Sequence, residues 1–257
     1  MTINARRSPE AIIRAMYRKL TRAWGPQHWW PAETPFEVIV GAILGQNTSW
    51  TNVERALASL RSADALNVDA IRTLPVRRLE DLVRSSGYYR QKAQRLKSIV
   101  HFLDENYGGS LDRMFATPTA NLRAQLLSLN GIGNETADAI LLYAGSHEIF
   151  VVDAYARRIL ERHEAISPTA KYDEIRVLVE QALRRQVPER ASPVGPKPPP
   201  KLVIHQPSTM SSDKRTPVAQ VYNEMHGLFV QIGKHYCLKR KAHCELCPLR
   251  SLLPSSK

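Results

Sequence analysis

The sequence predicts an all-α protein, on three observations. Helix-start signals recur: Ser8-Pro9-Glu10 and Thr34-Pro35 each place a capping hydroxyl ahead of a proline at the first helical position. Apolar residues behind these starts return at helical spacing, and no stretch alternates as a convincing strand or repeats internally. Finally, Leu129-Asn130-Gly131-Ile132-Gly133 breaks one helical run and opens the next.

In order along the chain, Ile12, Ile13, Met16, Tyr17 and Leu20 form one apolar face, which Gly25 ends. Phe36 to Leu44 is apolar all round, the pattern of a buried central helix. Further helical runs lie at about 48–62, 78–86, 90–106, 119–129, 134–145, 153–164 and 171–186. Between Val187 and Pro217 prolines alternate with Lys, Ser and Gly, so 187–217 reads as a flexible, basic, proline-rich insertion. Val218 to Tyr236 is helical again and leads into Cys237, Cys244 and Cys247.

The net charge of +12 over 257 residues points to an anionic partner, although charge alone does not separate DNA from RNA or from a membrane surface. No run of eighteen apolar residues occurs, and Met1 to Gly25 reads as an amphipathic helix and not a signal peptide. The expectation is a cytoplasmic monomer with no membrane partner. Three cysteines, an odd number crowded at metal-ligand spacing, argue against a disulfide framework.

Gly131 and Gly133 allow a tight or left-handed turn whose backbone N–H groups can press against an anion. Such a turn alone is most often only a turn, and Asp153, at the start of the next helix, could be only a cap. Together, LNGIG-NETADAILL followed by VVDAYARRIL resembles the helix-hairpin-helix and Gly/Pro-rich–Asp signature of the endonuclease III (HhH-GPD) superfamily of DNA glycosylases. The resemblance covers about 10–186 and 218–250. It implies a two-lobed all-α fold: a helical barrel lobe, 35–146, carrying the hairpin, and a terminal lobe, 1–34 with 147–257, ending in a cysteine loop. The implied partner is double-stranded DNA with damaged bases.

Bifunctional members carry a Lys where this chain has Glu135. A lyase needs an amine to form a Schiff base with the sugar, so the resemblance implies a monofunctional enzyme. Asp153 would activate the water and stabilise an oxocarbenium-like sugar, while Glu135 either assists weakly or complements the helix dipole. The resemblance makes Gln46 the side chain that fills the gap left by an extruded base. In Ser86–Ala93 it leaves Tyr88 or Tyr89 to wedge, stack or join the core. Gly131, Gly133, Lys92, Arg95, Lys239, Arg240 and Lys241 are candidate phosphate contacts, although the last three alone would read as a solvated charge run.

Trp29-Trp30-Pro31, then LGQNTSWTN with Trp50, most resembles the 3-methyladenine glycosylase branch. Alkylated purines are cationic, and an aromatic pocket of Trp29, Trp30 and Trp50 would select them by cation–π attraction. The alternative is that these tryptophans cover the joint between the first helix and the barrel. Lys234 matches a Lys of that branch, with no role assigned. The cysteines resemble the C-terminal iron–sulfur motif of the family, whose fourth Cys falls at Leu253 here. A [4Fe–4S] cluster with a non-cysteine fourth ligand is the preferred reading. Zinc with His235 or His243, or no metal, are the alternatives. Rival functions are a bifunctional glycosylase/AP lyase, an adenine-mismatch glycosylase, and a catalytically inactive DNA-binding protein.

Overall fold

The computed structural model describes residues 8–186 and 206–254; no strand occurs among them. The chain divides into two compact units, 32–147 and 1–31 with 148–257. The divisions fall at Pro31/Ala32 and His147/Glu148, against 34/35 and 146/147 from the sequence pattern.

The unit 32–147 is built around α2 (Pro35–Leu44). Thr34 caps it, its hydroxyl accepting from the Glu37 N–H at 3.1 Å, and every residue from Phe36 to Leu44 is buried. Glu37 is tolerated there because its carboxylate pairs with Arg61 and accepts the Glu33 N–H. Around α2 run α3 (Trp50–Ser62), α4 (Val68–Thr73), α5 (Val76–Leu82), α6 (Tyr89–Tyr107), α7 (Leu111–Phe115), α8 (Thr119–Ser128) and α9 (Asn134–Ala139). Helix α9 runs on as a π-helical turn, Ile140–Ala144, that packs on α2. Two of these helices, α4 and α7, lie outside the runs expected from the sequence. Each is a turn or two long, too short for a periodic signal, and each rests on a side-chain cap, Asn67 and Ser110.

In the other unit, α1 (Pro9–Trp24) is capped by Ser8 and ended by Gly25 at φ +65°. It packs with α11 (Tyr172–Leu183) and with α13 (Pro217–His235), against which α10 (Ala154–Arg162) also lies. Helix α13 is the spine of this unit, buried without interruption from Val221 to Gly233.

The proline-rich insertion requires a correction at its C-terminal end; residues 187–205 lie outside the described residues. From 206 onward the chain is not a free linker. A short helix α12 (Thr209–Ser212) is capped by Ser208, whose hydroxyl also donates to the Trp30 carbonyl at 3.3 Å. Met210 is buried and supplies the apolar anchor that the surrounding prolines and lysines lack. Among the described residues no helix is long and apolar enough to cross a membrane.

Candidate active site and nucleic-acid interface

The glycine turn is held from beneath. Gly131 adopts φ +82°, a conformation that calls for glycine, and a Cβ there would also displace the Arg95 guanidinium. Gly133 differs: its φ is −96° and nothing lies near where its Cβ would be. The fold therefore leaves the space beside Gly133 open. Gln46, just beyond α2, brackets the turn. Its Nε2 donates to the Gly131 carbonyl and the Thr136 hydroxyl, both at 2.9 Å, and its Oε1 accepts from Arg95. Gln46 and Arg95 are thus brought to the turn, engaged with each other and with its backbone.

Lys92 corrects the sequence expectation. Its side chain is fully buried, and Nζ donates to the carbonyls of Leu44 at 2.9 Å and Ser86 at 2.6 Å. Burial, with Arg95 nearby, brings its ammonium down to about 8. It ties the end of α2 to the start of α6 and is not a phosphate contact.

Of the two candidate tyrosines, Tyr88 is the one presented. It is 65% exposed and sits at φ +46°, following Gly87 at φ +68°. A bulky residue held in the left-handed region is strained, and such strain gathers at functional loops. Tyr89 instead lies under Arg84, 4.7 Å from ring centre to guanidinium. Glu135 is exposed in the first turn of α9. Trp50 begins α3, half-buried.

A buried ion pair is absent from the sequence expectations. Arg123 of α8 donates from Nε to Asp138 Oδ1 at 2.6 Å and from a terminal nitrogen to Oδ2 at 3.2 Å and Asn134 Oδ1 at 3.3 Å. Asp138 is completely buried. The pair clamps the two helices that flank the glycine turn. The only sequence signal is a charge inside the otherwise apolar face of ADAILL.

In the other unit, Asp153 is the N-cap of α10, with Oδ1 accepting the Ala156 N–H at 2.7 Å. Its second oxygen, Oδ2, lies 3.6 Å from Nε2 of His226 on α13. The imidazole is buried; burial lowers its pKa and favours the neutral form, opposed by the Asp153 charge. Trp29 lies 6.5 Å from this ring, Phe150 lies 6.3 Å from it, and Trp30 lies 5.4 Å from Trp29. Helix α13 sets this aromatic segment. Glu224 accepts the Gln27 N–H at 2.7 Å, and Gly227 admits the Cβ atoms of Gln27 and Trp29 at distances a side chain would crowd. Trp29 and Trp30 are 7% and 8% exposed, so neither presents an open face here. Lys234 is exposed in the last turn of α13.

The cysteine loop follows. Arg158 Nε donates to the Cys237 carbonyl at 2.7 Å, while Arg162 donates to Cys237 Sγ at 3.2 Å and to the carbonyls of Leu238 and Lys239. This holds the loop so that Lys239, Arg240 and Lys241 are exposed. Burial and the neighbouring thiols of Cys244 and Cys237 raise Cys247 to about 11. The donor set as it stands does not fit a [4Fe–4S] cubane. It is one thiolate short at Leu253, and no three metal-binding side chains converge among the described residues. His243, near Glu245 at 3.6 Å, does not complete a zinc set either.

Residues 40–185 match the family described as HhH-GPD superfamily base excision DNA repair protein. A Methanocaldococcus jannaschii protein that bears a DNA repair glycosylase name is 41% identical over 241 residues, 93% of this chain and 94% of the relative. Endonuclease III of Thermotoga maritima is 24% identical over 93% of this chain and 91% of its own length. Among solved structures, the H. pylori 3-methyladenine DNA glycosylase bound to 1,N6-ethenoadenine is similar, with a TM-score of 0.66 and 29% identity. That match covers 89% of this chain and 98% of the other. An endonuclease III trapped covalently on DNA shares the fold, with a TM-score of 0.69 at 18% identity over 95% of each chain. With its glycine-turn hairpin and its helix-capping aspartate, the chain belongs to the HhH-GPD superfamily of base-excision DNA repair glycosylases.

Proposed function

We propose that the protein is a monofunctional glycosylase that releases alkylated purines from duplex DNA by hydrolysis, acting as a monomer. The observation that carries this reading is the Asp153 carboxylate, one oxygen fixed by the helix cap and the other 3.6 Å from His226, in a chain with Glu135 where a lyase would need an amine. In the reaction, the water oxygen bonds to C1′ while the glycosidic C–N bond breaks. The bond pair leaves with the base and neutralises the cationic purine, and the water proton passes to Asp153. A cationic purine is already a good leaving group, so one carboxylate suffices. The 29% identity with a 3-methyladenine glycosylase supports this substrate class, and Trp29 packs 6.5 Å from the His226 ring that neighbours Asp153. On the DNA side, the Gly131–Gly133 backbone receives phosphate, with Arg95 behind it and Lys239, Arg240 and Lys241 on a second track. Gln46 and the exposed Tyr88 are the side chains offered to the gap and its opposite strand.

The test is incubation with methylated duplex DNA, scoring base release apart from strand breakage. Release of 3-methyladenine or 7-methylguanine, with nicking only after alkali, is the expected result. Nicking without alkali would restore the lyase, and binding without release would mark a dead site.

The two turn glycines separate folding from binding. Gly131→Ala is expected to destabilise the unit, because it combines an unfavourable φ with a clash against Arg95. Gly133→Ala should melt like the wild type yet bind duplex about tenfold more weakly, through a methyl placed where a phosphate must approach. Thermal melts and fluorescence anisotropy on a labelled duplex measure both; equal affinity in Gly133→Ala would remove the turn from the interface.

A further inference from the structure

We propose that His226 is a positioning residue for base release: its Nε2, 3.6 Å from Asp153 Oδ2, donates to the carboxylate oxygen that the helix cap leaves for chemistry. The proposal rests on the hydrolytic reading and adds to it the group that orients the carboxylate.

A capping carboxylate is held at one oxygen only. The Ala156 N–H engages Oδ1 alone, and a single hydrogen bond still leaves small coupled changes of the two side-chain torsions that shift Oδ2. For Oδ2 to point at a water it needs a second constraint, and His226 on α13 stands 3.6 Å away to supply it. His226 cannot move far, since it is enclosed, with Trp29 and Phe150 packed around its ring. A gap of 3.6 Å closes to a hydrogen bond with a shift of under about 1 Å. Catalytic hydrogen bonds commonly tighten in this way when the substrate arrives. A neutral imidazole carrying its proton on Nε2 donates to Oδ2 without competing for the water proton. The same ring touches Trp29, so α13 sets the carboxylate and the aromatic segment against each other through one side chain. Gly227, the next residue, admits the Cβ atoms of Gln27 and Trp29 at 3.1 and 3.2 Å from where its own Cβ would stand.

The experiment is single-turnover release of 3-methyladenine from methylated duplex by the wild type, His226→Phe, His226→Gln and Asp153→Asn, with duplex affinity measured alongside. His226→Phe keeps the ring volume and loses the donor; the expected loss in rate is about 10- to 100-fold with affinity unchanged. His226→Gln returns an N–H near the position of Nε2 and should recover to within about threefold of wild type. Added to Asp153→Asn, His226→Phe should cause no further loss, because the two act as one unit.

A folded His226→Phe that turns over normally overturns the proposal, as does a His226→Gln no faster than Phe. Absence of release by the wild type itself overturns the hydrolytic reading, and this proposal with it. Should His226→Phe not fold, nitrogen-15 spectra of the histidines decide. A proton on Nε2 whose signal moves in Asp153→Asn supports the pairing, and a proton on Nδ1 with Nε2 bare overturns it.

Discussion

Asp153→Asn is expected to lower base release by on the order of 10³-fold or more while duplex affinity stays within about threefold. The substitution separates two jobs that one side chain performs. As an N-cap, asparagine is as good as aspartate, so its oxygen keeps the Ala156 N–H that Asp153 holds at 2.7 Å, and α10 keeps its start. Its amide nitrogen then stands where Oδ2 stood. An amide N–H pair carries no charge to stabilise a cationic sugar and accepts no proton from water. Asp153→Ala is the less informative variant, because it removes the cap as well, at a cost of about 1 kcal/mol. Release measured under single turnover, with affinity by anisotropy and a thermal melt, resolves the two roles. Normal turnover in a folded Asp153→Asn would refute the mechanism.

What the sequence pattern yields, and what it does not, divides along physical lines. Long helices with an apolar stripe and a Ser/Thr–Pro start, α1 and α2, are legible nearly to the residue, because cap, proline and periodicity agree. Helices α4 and α7 carry too few residues for a period to emerge. In the site, Asp153 and the glycine turn stand out because their chemistry depends on local spacing. The partners that make them work lie far along the chain: His226 is on α13, and Arg95 is 36 residues before Gly131. Composition offers no means of pairing them. Lys92 misleads for a related reason. Beside Arg90 and Arg95 it looks like part of a basic helix face, but a helix has two faces, and only packing against α2 decides which one the ammonium enters. The missing fourth cysteine, by contrast, is visible in the sequence itself, since a ligand count needs no structure.

Arg123→Ala is expected to destabilise the 32–147 unit by about 3–5 kcal/mol, a large loss for one side chain. Removing the arginine leaves Asp138 fully buried without its bidentate partner. The carboxylate must then be neutralised or the helix pair must open to admit water. Because the pair bridges α8 and α9, opening it releases the turn between them. Gln46 would then lose the fixed position of the Gly131 carbonyl it donates to, and duplex affinity should fall with stability. Urea unfolding of wild type and variant measures the cost; a change below about 1 kcal/mol would place the pair with exposed surface bridges instead. The double substitution Arg123→Met with Asp138→Leu provides the control. It deletes both charges and the desolvation each one costs, and should recover most of the lost stability. Recovery of stability without recovery of DNA binding would show that the clamp serves the shape of the turn. Recovery of both would reduce it to one way among several of closing two helices over a glycine.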